Sequence, residues 1–179
     1  MDKIKKIGET EIYKGSRVHL FKEQLLMPNG KEVEWELIKH IGAAAIIPVA
    51  DDGRIIMVRQ YRNAADDYTL EIPAGILDSK DEEPLTCAHR ELEEETGYKS
   101  NDLTYLYKFY SSIGLCDEII YIYIANNLIQ SQQDLDDDEF VTLERYTVDE
   151  LMTLIRNGEL MDNKSISSIL MYRDYLARK

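Results

Sequence analysis

The sequence predicts an α/β fold in which strands and helices form a sandwich. Three observations support it: strand-like runs before an acidic helix, further strands after it, and two helical segments near the end of the chain. Such elements pack in layers, because each must bury its apolar face against another. The chain has 179 residues and is 44% hydrophobic, enough for one core or for one domain with a small appendage.

The N-terminal region, residues 1–39, is predicted to be a small antiparallel β subdomain. Residues 10–39 alternate in the manner of strands, and Asn29-Gly30 separates two of the runs. Asn-Gly between strands is a strong signal for a tight hairpin turn. The main domain is then predicted over residues 40–179.

The main domain is predicted to contain several short strands and three helices. The strands are expected at residues 41–50, 54–62, 68–72, 103–110, 118–128 and 140–147, and the two closing helices at 148–157 and 165–177. Between the third of these strands and the acidic helix, residues 73–75 and the polar stretch 78–83 predict a loop.

The acidic helix is the most informative segment of the chain. Pro84 suits its first turn and Gly97 a left-handed end. At about 100° per residue, Glu91, Glu94 and Glu95 fall on one face, where like charges repel unless something binds between them. Mg²⁺ prefers such oxygen ligands and shares them with substrate phosphates, so a metal site is predicted. The alternative is a solvated acidic face.

The apolar side of this helix is predicted to face the core. Leu85, Ala88 and Leu92 fall on a stripe next to the three carboxylates, whereas Glu93 points elsewhere. Cys87 lies on the same helix and is interpreted as a small packing residue rather than a nucleophile.

Composition excludes several classes of function. The net charge of −13 argues against nucleic acid as a partner, although a bound metal can reverse the local sign and admit a phosphorylated small molecule. The two cysteines are too few for a disulfide scaffold. We find neither a secretory leader pattern nor an apolar run long enough to span a bilayer, so a cytoplasmic protein without a membrane segment is expected.

The acidic helix and its preceding loop resemble the Nudix box, the G-x5-E-x7-REU-xEE-xGU signature of the Nudix hydrolases. The matching residues are Gly75, Glu82, Arg90, Glu91, Leu92, Glu94, Glu95, Gly97 and Tyr98. The match has one departure, because six residues rather than five separate Gly75 from Glu82. Counting five ends on Asp81 and places His89 where Arg is needed, so the extra residue belongs to the loop and the helix register is intact.

The resemblance extends to the whole chain and implies both fold and activity. The element order is similar to the Nudix fold, an α/β/α sandwich with a mixed sheet. The N-terminal strands, VRQYR at 58–62 and LEIPAG at 70–75 resemble the ADP-ribose and ADP-sugar pyrophosphatase branch. The branch implies a homodimer that cleaves ADP-ribose to AMP and ribose 5-phosphate with Mg²⁺ or Mn²⁺. The alternatives are another nucleotide-sugar or dinucleotide substrate, and a Nudix domain that senses ADP-ribose without turnover.

The resemblance also assigns the metal site. The implied ligands are the backbone carbonyl of Ala74 and the carboxylates of Glu91, Glu94 and Glu95. Of these, Glu94 is expected to bridge or to act through water. Gly75 and an ion pair between Arg90 and Glu82 are expected to have structural roles in the loop.

A base for the attacking water is implied in the acidic loop at residues 134–139. Asp136, Asp138 and Glu139 are the candidates, Glu139 is favoured, and a solvated loop is the alternative. An EF-hand is excluded, because Glu139 stands where the turn glycine is needed and Arg145 where the twelfth-position Glu is needed.

Four residues are implied in substrate binding. Arg62 matches an arginine that grips the diphosphate or the ribose, with a simple exposed arginine as the alternative. Trp35 is expected to stack on adenine across the dimer and Glu36 to reach the edge of the base. The alternative for Trp35 is a core or dimer-interface residue. Ile76 is expected to cover the adenosine.

Overall fold

The computed structural model describes residues 3–135 and 140–179. The strands are β1 Lys5–Lys14, β2 His19–Leu26, β3 Glu32–Ile38, β4 Ala43–Pro48, β5 Ile55–Arg62, β6 Asp67–Glu71, β7 Ala74–Ile76, β8 Tyr98–Lys99, β9 Asp102–Tyr110, β10 Ile119–Asn126, β11 Ile129–Gln130 and β12 Thr142–Tyr146. The helices are α1 Pro84–Thr96, α2 Val148–Asn157 and α3 Asn163–Ala177. Within the described ranges, no helix is long and apolar enough to cross a membrane.

The chain divides into two units, the first formed by the chain up to Ile41 together with Tyr110–Ile119. This unit contains an antiparallel sheet in the order β1-β2-β3. The strand-like run before Asn29 forms two strands, because the chain turns where the Gly15 N–H donates to the Val18 carbonyl at 2.8 Å. The predicted Asn29-Gly30 turn joins β2 to β3, with Gly30 at φ 82°.

The second unit, Gly42–Phe109 with Ile120–Lys179, contains the mixed sheet that the sequence predicts. Its order is β7-β4-β10-β9, with β4 parallel to β10 and antiparallel to β7. A second sheet has the order β12-β5-β6, and β8 pairs with β11.

Alternating side chains of β4 separate the two cores of this unit. Ala44 and Ile46 pack with the apolar face of α1, whereas Ala45 and Ile47 pack with residues of α2 and α3. Successive side chains of a strand point to opposite faces, so one buried strand supports helices on both sides. This is the layered α/β/α arrangement.

The loop predicted at residues 73–75 is wrong at Ala74 and Gly75, because Ala74–Ile76 forms β7. Ala74 lies opposite Ala45 in the ladder with β4, and Gly75 opposite Ala44. Pro and Gly favour a turn locally, but pairing with a buried strand satisfies backbone groups that would otherwise be buried without partners.

The prediction that Leu85 faces the core is also wrong, since this residue is 42% exposed. The buried face of α1 consists of Cys87, Ala88, Glu91, Leu92, Glu95 and Thr96. Leu85 lies at the edge of that face in the first turn of the helix. The helix ends at Gly97 as predicted, with φ 68°.

The closing helices agree closely with the prediction. The ends of α2 are those predicted, and α3 begins at Asn163, two residues earlier than expected. The earlier start follows from the cap, because the Asp162 side chain accepts a hydrogen bond from the Ser165 N–H at 3.0 Å.

Candidate active site

Two of the three carboxylates predicted on one face of α1 are more deeply buried than the helical spacing in the sequence suggests. Glu91 is 8% exposed and Glu95 4% exposed, so both lie on the buried face of the helix, whereas Glu94 is half-buried. Ionised carboxylates are costly to bury without partners, so these two must be compensated locally.

The short strand β7 supplies part of that compensation. The Ala74 N–H donates to Glu95 Oε2 at 2.9 Å. At Gly75, an added Cβ would lie 1.9 Å from Glu91 Oε1 and 2.0 Å from Glu91 Cδ. A side chain at residue 75 would therefore displace the Glu91 carboxylate from this position.

Arg90 supplies the opposite charge. Its Nη1 donates to Glu91 Oε1 at 2.5 Å and to Glu94 Oε2 at 2.9 Å, and its Nη2 donates to the Ile76 carbonyl at 3.0 Å. Burial opposes the charge on Arg90, but the carboxylates, Glu91 above all, outweigh it and raise the pKa of the guanidinium.

The expected ion pair between Arg90 and Glu82 is long. Arg90 Nε lies 3.8 Å from Glu82 Oε1 and, among the described residues, is a buried donor without a hydrogen-bond partner. Glu82 Oε2 instead accepts from the Asp78 N–H at 2.6 Å within the loop that carries the extra residue. The Arg90–Glu82 distance is thus near the upper limit for an ion pair. The hydrogen bond from the Asp78 N–H to Glu82 closes the loop instead.

The oxygen atoms at this site are of the types that bind a hard divalent cation. Carboxylates and a nearby backbone carbonyl are the ligands that Mg²⁺ and Mn²⁺ take. Residues 3–135 and 140–179 contain no ready cluster of three His, Cys, Asp or Glu groups around a metal position. Glu91 and Glu94 each accept a hydrogen bond from Arg90, and Glu95 accepts one from the Ala74 N–H.

Arg62 lies at the end of β5 and belongs to a second buried charge cluster. Its Nε and Nη2 donate to the two oxygens of Glu71, both at 2.8 Å. Glu71 is only 3% exposed and also accepts from Thr69 Oγ1 at 2.6 Å and from Lys164 Nζ. Burial favours the neutral acid, but Arg62 and Lys164 more than offset it and lower the pKa of Glu71 to about 2.

Sequence reasoning did not assign any role to Glu71 or Lys164. The available signal was a charged residue inside the otherwise apolar end of β6, followed at once by Ile72. A buried carboxylate needs a cation, but the sequence does not say which one.

The remaining predicted substrate residues are distributed between the two units. Trp35 and Glu36 lie on β3 of the first unit, where Trp35 is 52% exposed, so a position in the core of this chain is wrong. Ile76 lies on β7 of the second unit and is also exposed.

All three predicted base candidates, Asp136, Asp138 and Glu139, lie outside the described residues. The segment leading to them is attached to the end of α1. The Asp134 N–H donates to the Glu94 carbonyl at 3.1 Å, and Gln133 Nε2 donates to the Glu95 carbonyl at 2.5 Å.

Comparison with known proteins decides the family, since a model of the NUDIX domain matches residues 39–166. The chain belongs to the Nudix family. It is 41% identical to an ADP-ribose pyrophosphatase of Bacillus subtilis over 92% of this chain and 90% of that protein. It is also 38% identical to a methanol dehydrogenase activator of Bacillus methanolicus, again over 92% and 90% of the two chains.

The fold is confirmed by a solved structure. The crystal structure of an ADP compounds hydrolase superposes on this Nudix chain with a TM-score of 0.87, covering 99% of it and 96% of the other chain at 23% identity. Together with the family match, this makes the protein an enzyme, a Nudix hydrolase of the kind represented by the ADP-ribose pyrophosphatases.

Proposed function

We propose that this Nudix enzyme hydrolyses the pyrophosphate bond of ADP-ribose, or of a closely related ADP-sugar, to AMP and ribose 5-phosphate. The observation that carries the proposal is the packing of Glu91 against Gly75 beside Glu95, which fixes two carboxylates next to β7. The similarity to the Bacillus subtilis ADP-ribose pyrophosphatase supports the choice of substrate.

The chemistry needs a group that offsets the charge of the pyrophosphate. Mg²⁺, or Mn²⁺ in its place, would be held by Glu91, Glu94, Glu95 and the Ala74 carbonyl. Bound there, a divalent cation supplies charge neutralisation and lowers the pKa of water. One phosphorus gains the oxygen of water, the P–O–P bond breaks, and the second phosphate leaves with the bridging oxygen.

The other residues of the proposal act on the substrate. Glu139 takes the proton of the attacking water, and Arg62 donates to a substrate phosphate. Trp35 stacks on the adenine, Glu36 accepts from the base edge, and Ile76 covers the adenosine. Trp35 lies on β3 of the N-terminal sheet, so its use fits a homodimer in which that sheet is shared.

The test is a product assay with Mg²⁺ across ADP-ribose, ADP-glucose, GDP-mannose, NADH and diadenosine polyphosphates, with products identified by mass spectrometry. AMP and ribose 5-phosphate, formed fastest from ADP-ribose and stopped by a chelator, are the expected result. Faster turnover of another compound would replace the substrate assignment. Binding of ADP-ribose without turnover of any compound would instead indicate a sensor.

The proposed dimer has a separate test. Sedimentation velocity is expected to give a species of about twice the 20.8 kDa chain mass. A single species of monomer mass across the concentration range of the activity assay would reject the dimer and the stacking of Trp35 across it.

A further inference from the structure

Glu71 is a buried anion with four hydrogen-bond donors around it. Two come from Arg62, one from Thr69 and one from Lys164. Its two oxygens are therefore held by donors from three different side chains. Charge-assisted and bidentate hydrogen bonds of this kind are strong and directional.

Lys164 reaches Glu71 from the first turn of α3, 93 residues later in the chain. A second link lies beside it, since the Ile72 N–H donates to Ser165 Oγ at 2.7 Å. Ser165 Oγ in turn donates to Asp162 Oδ2 at 2.6 Å, and Lys164 Nζ to the same oxygen at 3.0 Å. The start of α3 thus fixes both the side chain of Glu71 and the backbone that follows it.

This segment leads directly into the proposed metal site. Two residues after Ile72, the Ala74 N–H holds Glu95. The hydrogen bonds to Glu71 are the main cause that raises the pKa of the Arg62 guanidinium, and the charge of Glu95 adds to it. The start of α3, Glu71 and the carboxylate face of α1 therefore form one connected set of contacts.

Arg62 is a partly exposed member of this set of contacts. The Arg62 side chain is 39% exposed, whereas that of Glu71 is 4% exposed, so part of the arginine is accessible to solvent and the carboxylate is not. A guanidinium has five N–H donors in a planar fork, and Glu71 takes two of them. The plane of the remaining donors is consequently set by Glu71.

We propose that Lys164 is a positioning residue of this enzyme: by holding Glu71, it orients the Arg62 guanidinium toward a phosphate of the substrate. The inference rests on the proposed function, because it takes Arg62 as the group that meets the diphosphate. It assigns to the C-terminal helix a part in substrate handling, through a residue that does not itself touch the substrate.

The kinetic test compares Lys164→Met with Lys164→Arg. Loss of the cation is expected to raise KM for the substrate and lower kcat/KM by about tenfold, as removal of a charged hydrogen-bond partner does. Lys164→Arg keeps a positive charge at this position and is expected to recover most of the kcat/KM that Lys164→Met loses. Arg178→Met, which breaks the exposed Arg178–Asp174 pair on the same helix, is the matched control and is expected to behave as wild type.

A double-mutant cycle separates positioning from a general effect on structure. In an Arg62→Met background, Lys164→Met is expected to change kcat/KM by less than about twofold, because its effect passes through Arg62. Equal losses in both backgrounds, or a Lys164→Met enzyme no different from Arg178→Met, would overturn the proposal. If Lys164→Met does not fold, Lys164→Gln takes its place in the cycle.

A second readout does not depend on activity. In ¹⁵N NMR spectra, the Nε–H signal of Arg62, identified by its absence in Arg62→Met, reports the bond to Glu71 directly. We expect Lys164→Met to shift this signal and to speed its exchange with water, and Arg178→Met to leave it unchanged. An unmoved signal would contradict the positioning role. A wild-type enzyme that turns over neither ADP-ribose nor an ADP-sugar would reject the proposed function, while this spectrum would still decide whether Lys164 positions the Arg62 guanidinium.

Discussion

At the scale of single residues, Gly75 shows how a missing side chain shapes the site. The Glu91 carboxylate occupies the space that a Cβ on residue 75 would take. Because the clash falls on the far end of a flexible side chain, the fold can remain while the carboxylate moves. The conformational freedom of glycine is not the reason here, since the constraint is the close approach.

Gly75→Ala is therefore expected to lower kcat by at least about tenfold and to leave the free energy of unfolding within about 1 kcal/mol of wild type. Steady-state kinetics and urea unfolding test the two parts. Gly114→Ala is the matched control, because no heavy atom of the described chain lies within 4 Å of the added Cβ. Wild-type kcat in Gly75→Ala would show that the position of Glu91 is unimportant for turnover.

Glu95→Gln tests the ligand role more directly. Glutamine keeps an oxygen that can accept from the Ala74 N–H but removes the charge, so turnover should fall by about a hundredfold or more with little change in unfolding. Glu93→Gln is the control on the same helix, since Glu93 pairs with Lys99 and Ser131 away from the site. Equal rates for the two variants would remove Glu95 from the proposed metal site.

The functional residues of α1 were easier to predict from the sequence than the residues that contact Arg62. The carboxylates of α1 and the glycine before it follow from local spacing. The partners of Arg62 do not, because Glu71 lies nine residues away on a neighbouring strand and Lys164 lies on a distant helix. Spacing in the sequence carries information about one helix or strand, but not about which strand will lie beside it.

At the scale of elements, helix ends are the features that local sequence fixes best. Helix α2 has a complete capping box, in which Thr147 Oγ1 accepts from the Glu150 N–H at 3.2 Å and Glu150 Oε2 accepts from the Thr147 N–H at 2.7 Å. These contacts span three residues, so the start of α2 could be predicted from local sequence, and its end follows from Gly158 in the left-handed conformation. Strand β7 was missed, because it exists only through pairing with β4.

Thr147→Ala is expected to lower the free energy of unfolding by about 1 kcal/mol, since the Thr147 hydroxyl accepts from the Glu150 N–H and donates to Glu150 Oε2, and alanine keeps only the bond of the backbone N–H. Thr153→Ala is the control within the same helix, where the hydroxyl returns to the Asp149 carbonyl. Alanine at that interior position should be neutral or slightly stabilising. Chemical unfolding that ranks Thr153→Ala below Thr147→Ala would show that the cap contributes little.

At the scale of the whole molecule, stability should respond to acid through Glu71. Folding lowers the pKa of this carboxyl from its ordinary 4.5 to about 2, because Arg62 and Lys164 outweigh its burial. Its contribution is therefore fully present above about pH 5, and it is lost as the pH falls from there toward 2. A shift of this size corresponds to about 3 kcal/mol of unfolding free energy.

Glu71→Gln is thus expected to unfold more easily at neutral pH and to lose less stability than wild type between pH 5 and pH 2. Thermal unfolding followed across this interval measures both. Asp174→Asn, on the exposed side of α3, is the control for removal of one carboxylate. Parallel pH curves for wild type and Glu71→Gln would show that Glu71 is not stabilised as an anion in the fold.

The sequence by itself determined the layered fold, the capped acidic helix and membership of the Nudix family, because these depend on residue type and short-range spacing. The tertiary structure alone decided that Glu91 and Glu95 are buried, that Gly75 gives room to one of them, and that Glu71 joins Arg62 to Lys164. These contacts join segments up to 93 residues apart. They arise from the packing of β5, β6, β7, α1 and α3, which local chemistry permits but does not specify.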